Sequence, residues 1–488
     1  MLHVDDFMTW PWAIVMWAIH LLLFVLVTAH CLQRRRESTS ALLWLFIAWS
    51  IPFVGAIIYL VFGVDRVIDK GFQKHRADQR LLAARKATLS RQSRAIELTD
   101  PFSRDINRAM DSMFPEHPLM AGNDIVPLLD GDEAFPMMLE AIGRAERNIN
   151  LMTFIIDDDV VGRKFLDALA ERARSGVTVR LIYDRFGSTF ALWRGLFRRY
   201  KHIRNMHIVG WTQANPWKRQ FQVNLRNHRK ILVVDGRHAF IGGINLHVEH
   251  TTRDGRPPIR DYHFSVRGPI VHDLQYTFMR DWFYMTDENP SDLLSTDNFP
   301  VLDSVGGHAV RVVNGGPASE MEAIADVIFM AIVAARRQVL AVTPYFVPHR
   351  DLVGAMRAAA LRGVDIRLVV PKVNNHLAAG FASKALYEEL LNAGVRIYER
   401  RPPFMHAKAL VVDDAFAFIG TSNLDVRSFR LDYETNLAIC DSGFAARLKQ
   451  LVLDDIAQSH EVKKAVWARR SKRERVLENL CSLLVPVL

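Results

Sequence analysis

The stretch His228–Asp235, "HRKILVVD", runs from three basic residues straight into an apolar, β-branched run. His406–Asp413, "HAKALVVD", repeats the arrangement far along the chain. A duplicated strand signature of this kind constrains the fold more than any bulk property, because it implies a duplicated unit around it. The flanks agree. "NINLMTFII" (148–156), "GRKFLDALAERARSG" (162–176) and "VTVRLIYD" (177–184) read as strand, helix and strand. "QVLAVTPYF" (338–346), "RDLVGAMRAAALRG" (350–363) and "VDIRLVVP" (364–371) repeat that order. Each passage then reaches its His-x-Lys strand, a turn and a second strand, "AFIGGINL" (239–246) or "AFIGTSNL" (417–424). Helical spacing between β-branched runs predicts an α/β fold, a mixed sheet flanked by helices. Residues 125–290 and 305–460 form sister lobes packed about one cleft, joined by a linker over 286–308.

Residues i and i+2 of a strand share a face, so His228 pairs with Lys230 and His406 with Lys408. If the lobes face each other, one cleft receives two imidazoles and two ammonium groups, which only an anion reconciles. Two histidines also suit a double displacement at phosphorus: one attacks, the other protonates the departing alcohol and deprotonates its replacement. The lysines neutralise the phosphoryl oxygens, and Asn245 and Asn423 add hydrogen-bond donors. Asp235 and Asp413 complete each signature among the candidate catalytic residues. Their odd offset from the histidine and their place at a hairpin turn leave turn-shaping and a direct role both open. A nucleophilic imidazole needs an acceptor on its other nitrogen. Asp261 follows the first histidine and Glu434 the second, each near the next strand; a plain cross-strand salt bridge is the alternative for both. Thr421 and Ser422 fit either phosphate contact or turn bonding.

The hydrophobic fraction of 50% is concentrated at the N-terminus. Pro11–Leu32 and Ala41–Gly63 are each long enough to cross a bilayer and carry no formal charge, which predicts a two-helix transmembrane hairpin over 1–63. A cleaved signal peptide fits less well, because Asp5 and Asp6 precede the first run and a second follows at once. His20 and Pro52 read as packing or kink features. Arg34, Arg35 and Arg36 lie between the runs, and a larger basic cluster follows the second, so the flanks lean toward a cytoplasmic catalytic body. Residues 64–124 read as a basic connector. Residues 461–488 form a basic amphipathic segment suited to a bilayer surface or to docking as a terminal helix. The net charge of +9 suits an anionic partner, and beside membrane spans anionic lipid is favoured over nucleic acid. The three scattered cysteines indicate neither disulfides nor a zinc site, and "HVEH" (247–250) lacks the spacing of a helical zinc pair.

"HRKILVVDGRHAFIGGIN" and "HAKALVVDDAFAFIGTSN", with "NLRNHRKILVVDG", "TPYFVP", "SNLDVRSF" and "DYETN", resemble the phospholipase D superfamily and, within it, bacterial cardiolipin synthases. The resemblance implies transfer of a phosphatidyl group between two phosphatidylglycerol molecules, with no metal or other cofactor. It implies His228, Lys230, Asn245, His406, Lys408 and Asn423 in a shared site, Asp261 and Glu434 as orienters, and His228 as nucleophile with His406 as acid/base. The chain departs from the family pattern at Ile259, where an aromatic is usual, and at Asp432-Tyr433, where Asn-Phe is usual. A phospholipase D hydrolase or a transferase using another alcohol is the nearest alternative. A nuclease and a non-catalytic lipid-binding scaffold fit less well: membrane runs precede the body, and both signature copies are intact.

Overall fold

The computed structural model describes residues 5–33, 38–60, 66–88, 96, 98–211, 225–317 and 320–483. Arg34, Arg35 and Arg36, residues 89–95 of the connector and the last residues, 484–488, lie outside these. The chain divides into two compact units, Met1–Lys70 and Gly71–Leu488.

In the first unit a helix spans Asp5–Gln33, and its Trp12–Gln33 portion, 22 residues, is long and apolar enough to cross a membrane. The second apolar run is not one helix. It forms Ser38–Ser50, a turn through Pro52 and Phe53, and a short helix Val54–Ile58. Pro52 has no N–H to continue the ladder, and Phe53 turns to φ 61°. Thirteen residues rise only about 20 Å against a hydrocarbon core of about 30 Å. His20 has its Nε2 3.2 Å from the Trp49 carbonyl oxygen, and the His30 Nδ1 lies 2.6 Å from the Tyr59 hydroxyl.

In the second unit the first half supplies β1 (Met120–Leu129), β2 (Asn148–Thr153), β3 (Thr178–Asp184), β4 (Met206–Trp211), β5 (Arg226–Asn227), β6 (Ile231–Val234), β7 (His238–Gly242) and β8 (Tyr262–Arg267). The second half supplies β9 (His308–Gly315), β10 (Gln338–Val342), β11 (Phe346–Val347), β12 (Asp365–Pro371), β13 (Arg396–Arg400), β14 (Ala409–Val412), β15 (Phe416–Gly420), β16 (Leu424–Asp425), β17 (Asp432–Ile439) and β18 (Ser459–Glu461). The order is β1-β8-β7-β6-β2-β3-β4 in one half and β9-β17-β15-β14-β10-β12-β13-β18 in the other. The two orders correspond strand for strand as far as β13. β1 pairs antiparallel with β9, so the halves merge into one continuous sheet.

The parallel pairs β2–β3 and β10–β12 are joined by helices Val160–Arg174 and Arg350–Leu361, the crossover a parallel pair requires. Phe165, Leu166, Leu169, Ala170 and Ala173 recur at helical spacing and are buried on the sheet. On the opposite face a single core runs across both halves. Ile231, Phe264, Ala409 and Leu437 from the strands meet Leu274 and Phe278 of Val271–Thr286 and Phe444 and Leu448 of Ser442–Ala457. Part of the stretch read as a connector is built into this body. Helix Pro101–Met113, capped by Asp100, buries Phe102, Ile106 and Met110 against the second half, and β1 follows it.

Asp235 and Asp413 do not reach a catalytic position, which corrects their assignment as candidate catalytic residues. Each sits at the far end of its strand with φ 52°, in the left-handed turn that Asp tolerates. The Asp235 carboxylate accepts hydrogen bonds from the backbone N–H groups of Glu146, Arg147 and Asn148, at 2.9, 2.8 and 2.9 Å. The Asp413 carboxylate accepts from those of Arg336, Arg337 and Gln338, at 2.6, 2.7 and 2.8 Å. Both aspartates pin the hairpin to the chain entering β2 or β10, so their repetition reflects the fold. Asp413→Ala is expected to lower stability by about 2–3 kcal/mol, read as a fall in thermal midpoint in detergent. Asp235→Ala, at a more exposed turn, is expected to cost less.

Candidate active site

The heads of the two signatures lie at the edge of the sheet where the parallel strands end. Ile231 is paired with Met152 at the end of β2, and Ala409 with Val342 at the end of β10. Open α/β sheets bind ligands at this carboxyl edge. Each histidine then docks on the opposite half. β5, just before His228, pairs in parallel with Asp432 and Tyr433 of β17, and the His228 N–H donates to the Tyr433 carbonyl at 3.0 Å. Correspondingly, the His406 N–H donates to the Arg260 carbonyl at 2.7 Å.

This docking crosses the partners. The His228 Nδ1 lies 2.9 Å from Glu434 Oε1, and the His406 Nδ1 lies 2.7 Å from Asp261 Oδ2. Sequence order had paired each carboxylate with the histidine of its own half; the structure gives each to the other. The second oxygen of Glu434 accepts from the Thr421 hydroxyl, so Thr421 holds the carboxylate. The matching residue in the first half is Gly243, and a Cβ there would collide with Asp261 Oδ1. That oxygen accepts from the Tyr262 N–H at 2.8 Å instead. The shorter acid therefore stands over a glycine and the longer one beside a threonine.

Lys230 and Lys408 are buried, and each ammonium donates to the carbonyl oxygen of the histidine two residues before it. Burial, with Lys230 and Lys408 close by, holds the His228 imidazole well below its ordinary 6.5. Burial with the same lysines and His228 does likewise for His406, so the two rings lie within electrostatic reach of one another. Burial brings Lys230 down to about 7 against the pull of Glu434, and Lys408 to about 8 against Asp261. Burial lifts Glu434 to about 8 and raises Asp261 as well. The Lys408 ammonium also lies 3.0 Å from His406 Nδ1 and 3.1 Å from its Nε2. The cleft thus holds neutral imidazoles beside ammonium groups poorly compensated for their lost water. An anion entering it would restore the lysines' charge.

Asn245 and Asn423 are both buried beside this cluster. The Asn245 Oδ1 accepts from the Ile155 N–H at 3.2 Å, and its own N–H donates to His250 Nε2 at 3.3 Å. In the other half the Asn423 N–H donates to the Ser428 hydroxyl at 3.2 Å. His250, part of "HVEH", has its ring 6.2 Å from that of His406 and 4.6 Å from that of His247. Among the described residues no group of three or more His, Cys, Asp or Glu is placed to hold a metal ion.

Sequence reasoning missed what lies behind the site. Arg229, grouped with its basic neighbours, faces the opposite way and is fully buried. It donates to Asp281 Oδ2 at 2.6 Å and to the Glu434 carbonyl at 3.2 Å. Asp281 also accepts from Asn227 at 2.9 Å and pairs with Lys74 at 3.1 Å, while Arg280 bridges Asp78 and Glu320. Strand alternation after His228 carried the signal that Arg229 points inward. The halves also differ at the rim: Arg226 stands where the second half has Phe404, and Asp432 where the first has Ile259.

The family described as "Cardiolipin synthase, PLD-like domain" matches residues 138–256 and 328–455, and the one described as "Phospholipase_D-nuclease N-terminal" matches 22–63. The chain is 32% identical over 460 residues to a cardiolipin synthase of Geobacillus thermodenitrificans, covering 93% of this chain and 90% of the relative. It is 33% identical over 472 residues to cardiolipin synthase A of Pseudomonas fluorescens, covering 95% and 96%. Among solved structures, phosphatidylserine synthase of Haemophilus influenzae superposes with a TM-score of 0.59 at 14% identity, over 79% of this chain and 98% of that one, a likeness of fold. With two family matches in register with its two halves and relatives that span nearly its whole length, the chain belongs to the cardiolipin synthase family of phospholipase D-like proteins.

Proposed function

We propose that this chain is a membrane phosphatidyltransferase that makes cardiolipin and glycerol from two molecules of phosphatidylglycerol, through a phosphatidyl-histidine intermediate. The observation that carries the reading is the pair of buried imidazoles, each held at Nδ1 by a carboxylate and flanked by a lysine. With Nδ1 so engaged, Nε2 is the nitrogen that reacts. At His406 it lies 3.1 Å from the Lys408 ammonium, which turns to the phosphoryl oxygens as substrate binds. The Nε2 of one histidine attacks phosphorus of the donor lipid. The other histidine, neutral without substrate, takes up a proton from solvent beside the phosphodiester anion. As the phosphorus–oxygen bond to the glycerol headgroup breaks, it gives that proton to the leaving oxygen. That second imidazole then takes the proton from a primary hydroxyl of the acceptor lipid. The acceptor oxygen attacks phosphorus and frees the first imidazole. By resemblance His228 is the nucleophile and His406 the acid and base.

Lys230 and Lys408 offset the charge gathering on the phosphoryl oxygens, with Asn245 and Asn423 as further donors. Glu434 and Asp261 fix the rings and stabilise the imidazolium forms. No step calls for a metal or another cofactor. The first apolar run spans the bacterial inner membrane, and the second, interrupted at Pro52, returns across it as two shorter segments, with the catalytic body on the cytoplasmic side. The partners are phosphatidylglycerol and anionic membrane lipids rather than nucleic acid.

Purified protein given labelled phosphatidylglycerol alone is expected to yield cardiolipin and glycerol; phosphatidic acid as the sole product would show a hydrolase instead. His228→Ala and His406→Ala are each expected to abolish transfer, and substantial turnover by either would contradict a shared site. Glu434→Gln and Asp261→Asn are expected to lower kcat by about 10²–10⁴-fold, as loss of an orienting carboxylate does elsewhere. The acid limb of kcat/KM, which reports the free enzyme, is expected to have its midpoint below 6.5, since burial holds both imidazoles neutral there. EDTA is expected to leave the rate unchanged; complete loss, restored by a divalent ion, would overturn the mechanism.

A further inference from the structure

The loop that leaves β3 carries three large aromatic side chains in the open. Phe186, Phe190 and Trp193 are 61, 69 and 80% exposed, and the rings of the last two meet at 6.0 Å. Arg185, Arg194 and Arg198, all exposed, stand among them. Apolar rings rimmed by arginines on a folded surface mark a place where something apolar and anionic is met.

The position of the loop is as informative as its composition. β3 ends at the same carboxyl edge as the catalytic segments, and one carboxylate ties the two together. Asp184 accepts from the Phe186 and Gly187 N–H groups through Oδ1, at 2.9 and 3.1 Å. Through Oδ2 it accepts from the Asn227 N–H at 3.0 Å, next to His228. Phe186 also lies under the Arg226 guanidinium, 3.8 Å from ring centroid to carbon. In the second half the equivalent loop, after β12, exposes Lys372, Val373 and Leu377. The terminal helix Lys472–Ser482 packs beside the helix that this loop enters, burying Cys481 while leaving Leu477 and Leu480 open.

We propose that these loops, the one after β3 above all, seat the catalytic edge on an anionic phospholipid bilayer. Phe186, Phe190 and Trp193 enter the boundary between headgroups and acyl chains, and the arginines meet lipid phosphates. Aromatic rings settle at that depth and arginines pair with phosphate. The inference rests on the proposed lipid substrate and adds how the cleft reaches it: the mouth is pressed to the surface, and phosphatidylglycerol headgroups enter without leaving the membrane.

The test uses the full chain in vesicles of phosphatidylglycerol and phosphatidylethanolamine. A nitroxide on Phe190→Cys is expected to be reached by oxygen and shielded from an aqueous nickel complex. One on Leu361→Cys, 71% exposed at the opposite edge of the sheet, is expected to show the reverse. The Phe190→Ser/Trp193→Ser variant is expected to lose about tenfold or more in cardiolipin formation on vesicles through a higher interfacial KM. Its turnover of monomeric dihexanoyl-phosphatidylglycerol is expected to stay within about twofold of the unaltered protein's. Water-like accessibility at position 190, or equal loss on both substrates, overturns the proposal. If the unaltered protein makes no lipid product at all, the functional reading fails, and the nitroxide measurement still decides the docking.

Discussion

Everything at the reactive edge depends on two hydrogen bonds that cross between the halves, His228 to Glu434 and His406 to Asp261. Neither half holds a complete imidazole–carboxylate pair. The crossing is a backbone event before it is a side-chain one. The chain ahead of each histidine lays itself along the residues next to the opposite acid, at Asp432 and Tyr433 in one case and Arg260 in the other. Once those backbone bonds form, strand alternation delivers the histidine to the carboxylate. A shift of one residue would turn His228 away from the cleft and bring Arg229 out into it.

That register is guarded from behind by the ion network of Arg229, Asp281, Lys74, Arg280, Asp78 and Glu320. Buried ion pairs are weak sources of net stability, because desolvation consumes most of the attraction. Breaking one is costly all the same, since it strands a charge away from water. This network therefore acts more as a lock on geometry than as a reservoir of stability. Arg229 shows the lock directly: the side chain bonded to Asp281 also bonds the backbone of Glu434.

The duplicated strands and crossover helices were legible because apolar spacing reports burial, and burial is what the sheet and its helices share. The histidines and lysines were legible because a repeated polar pair at a strand head has no packing reason to recur. Three things were not. Which acid serves which histidine depends on how the halves dock, and no local pattern encodes a contact between residues 206 apart. Asp235 and Asp413 repeat as faithfully as the histidines and lysines, since a turn clamp obeys the same duplication as a site. The inward turn of Arg229 was implied by alternation but hidden by its charge, which argues for the surface until a buried partner such as Asp281 is known.

β1 is hydrogen-bonded to β8 on one side and β9 on the other, and a single core lies beneath the seam. Duplicated proteins commonly hinge between their copies, closing on a ligand and opening to release it. Here such a hinge would have to part the β1–β9 pairing, Met120 with Val310 and Asn123 with His308, and open the core beneath it. The shared seam therefore resists change in the gap between the His228 and His406 rings, and side chains and loops at the rim are the freer route for admission and release of long-tailed lipids.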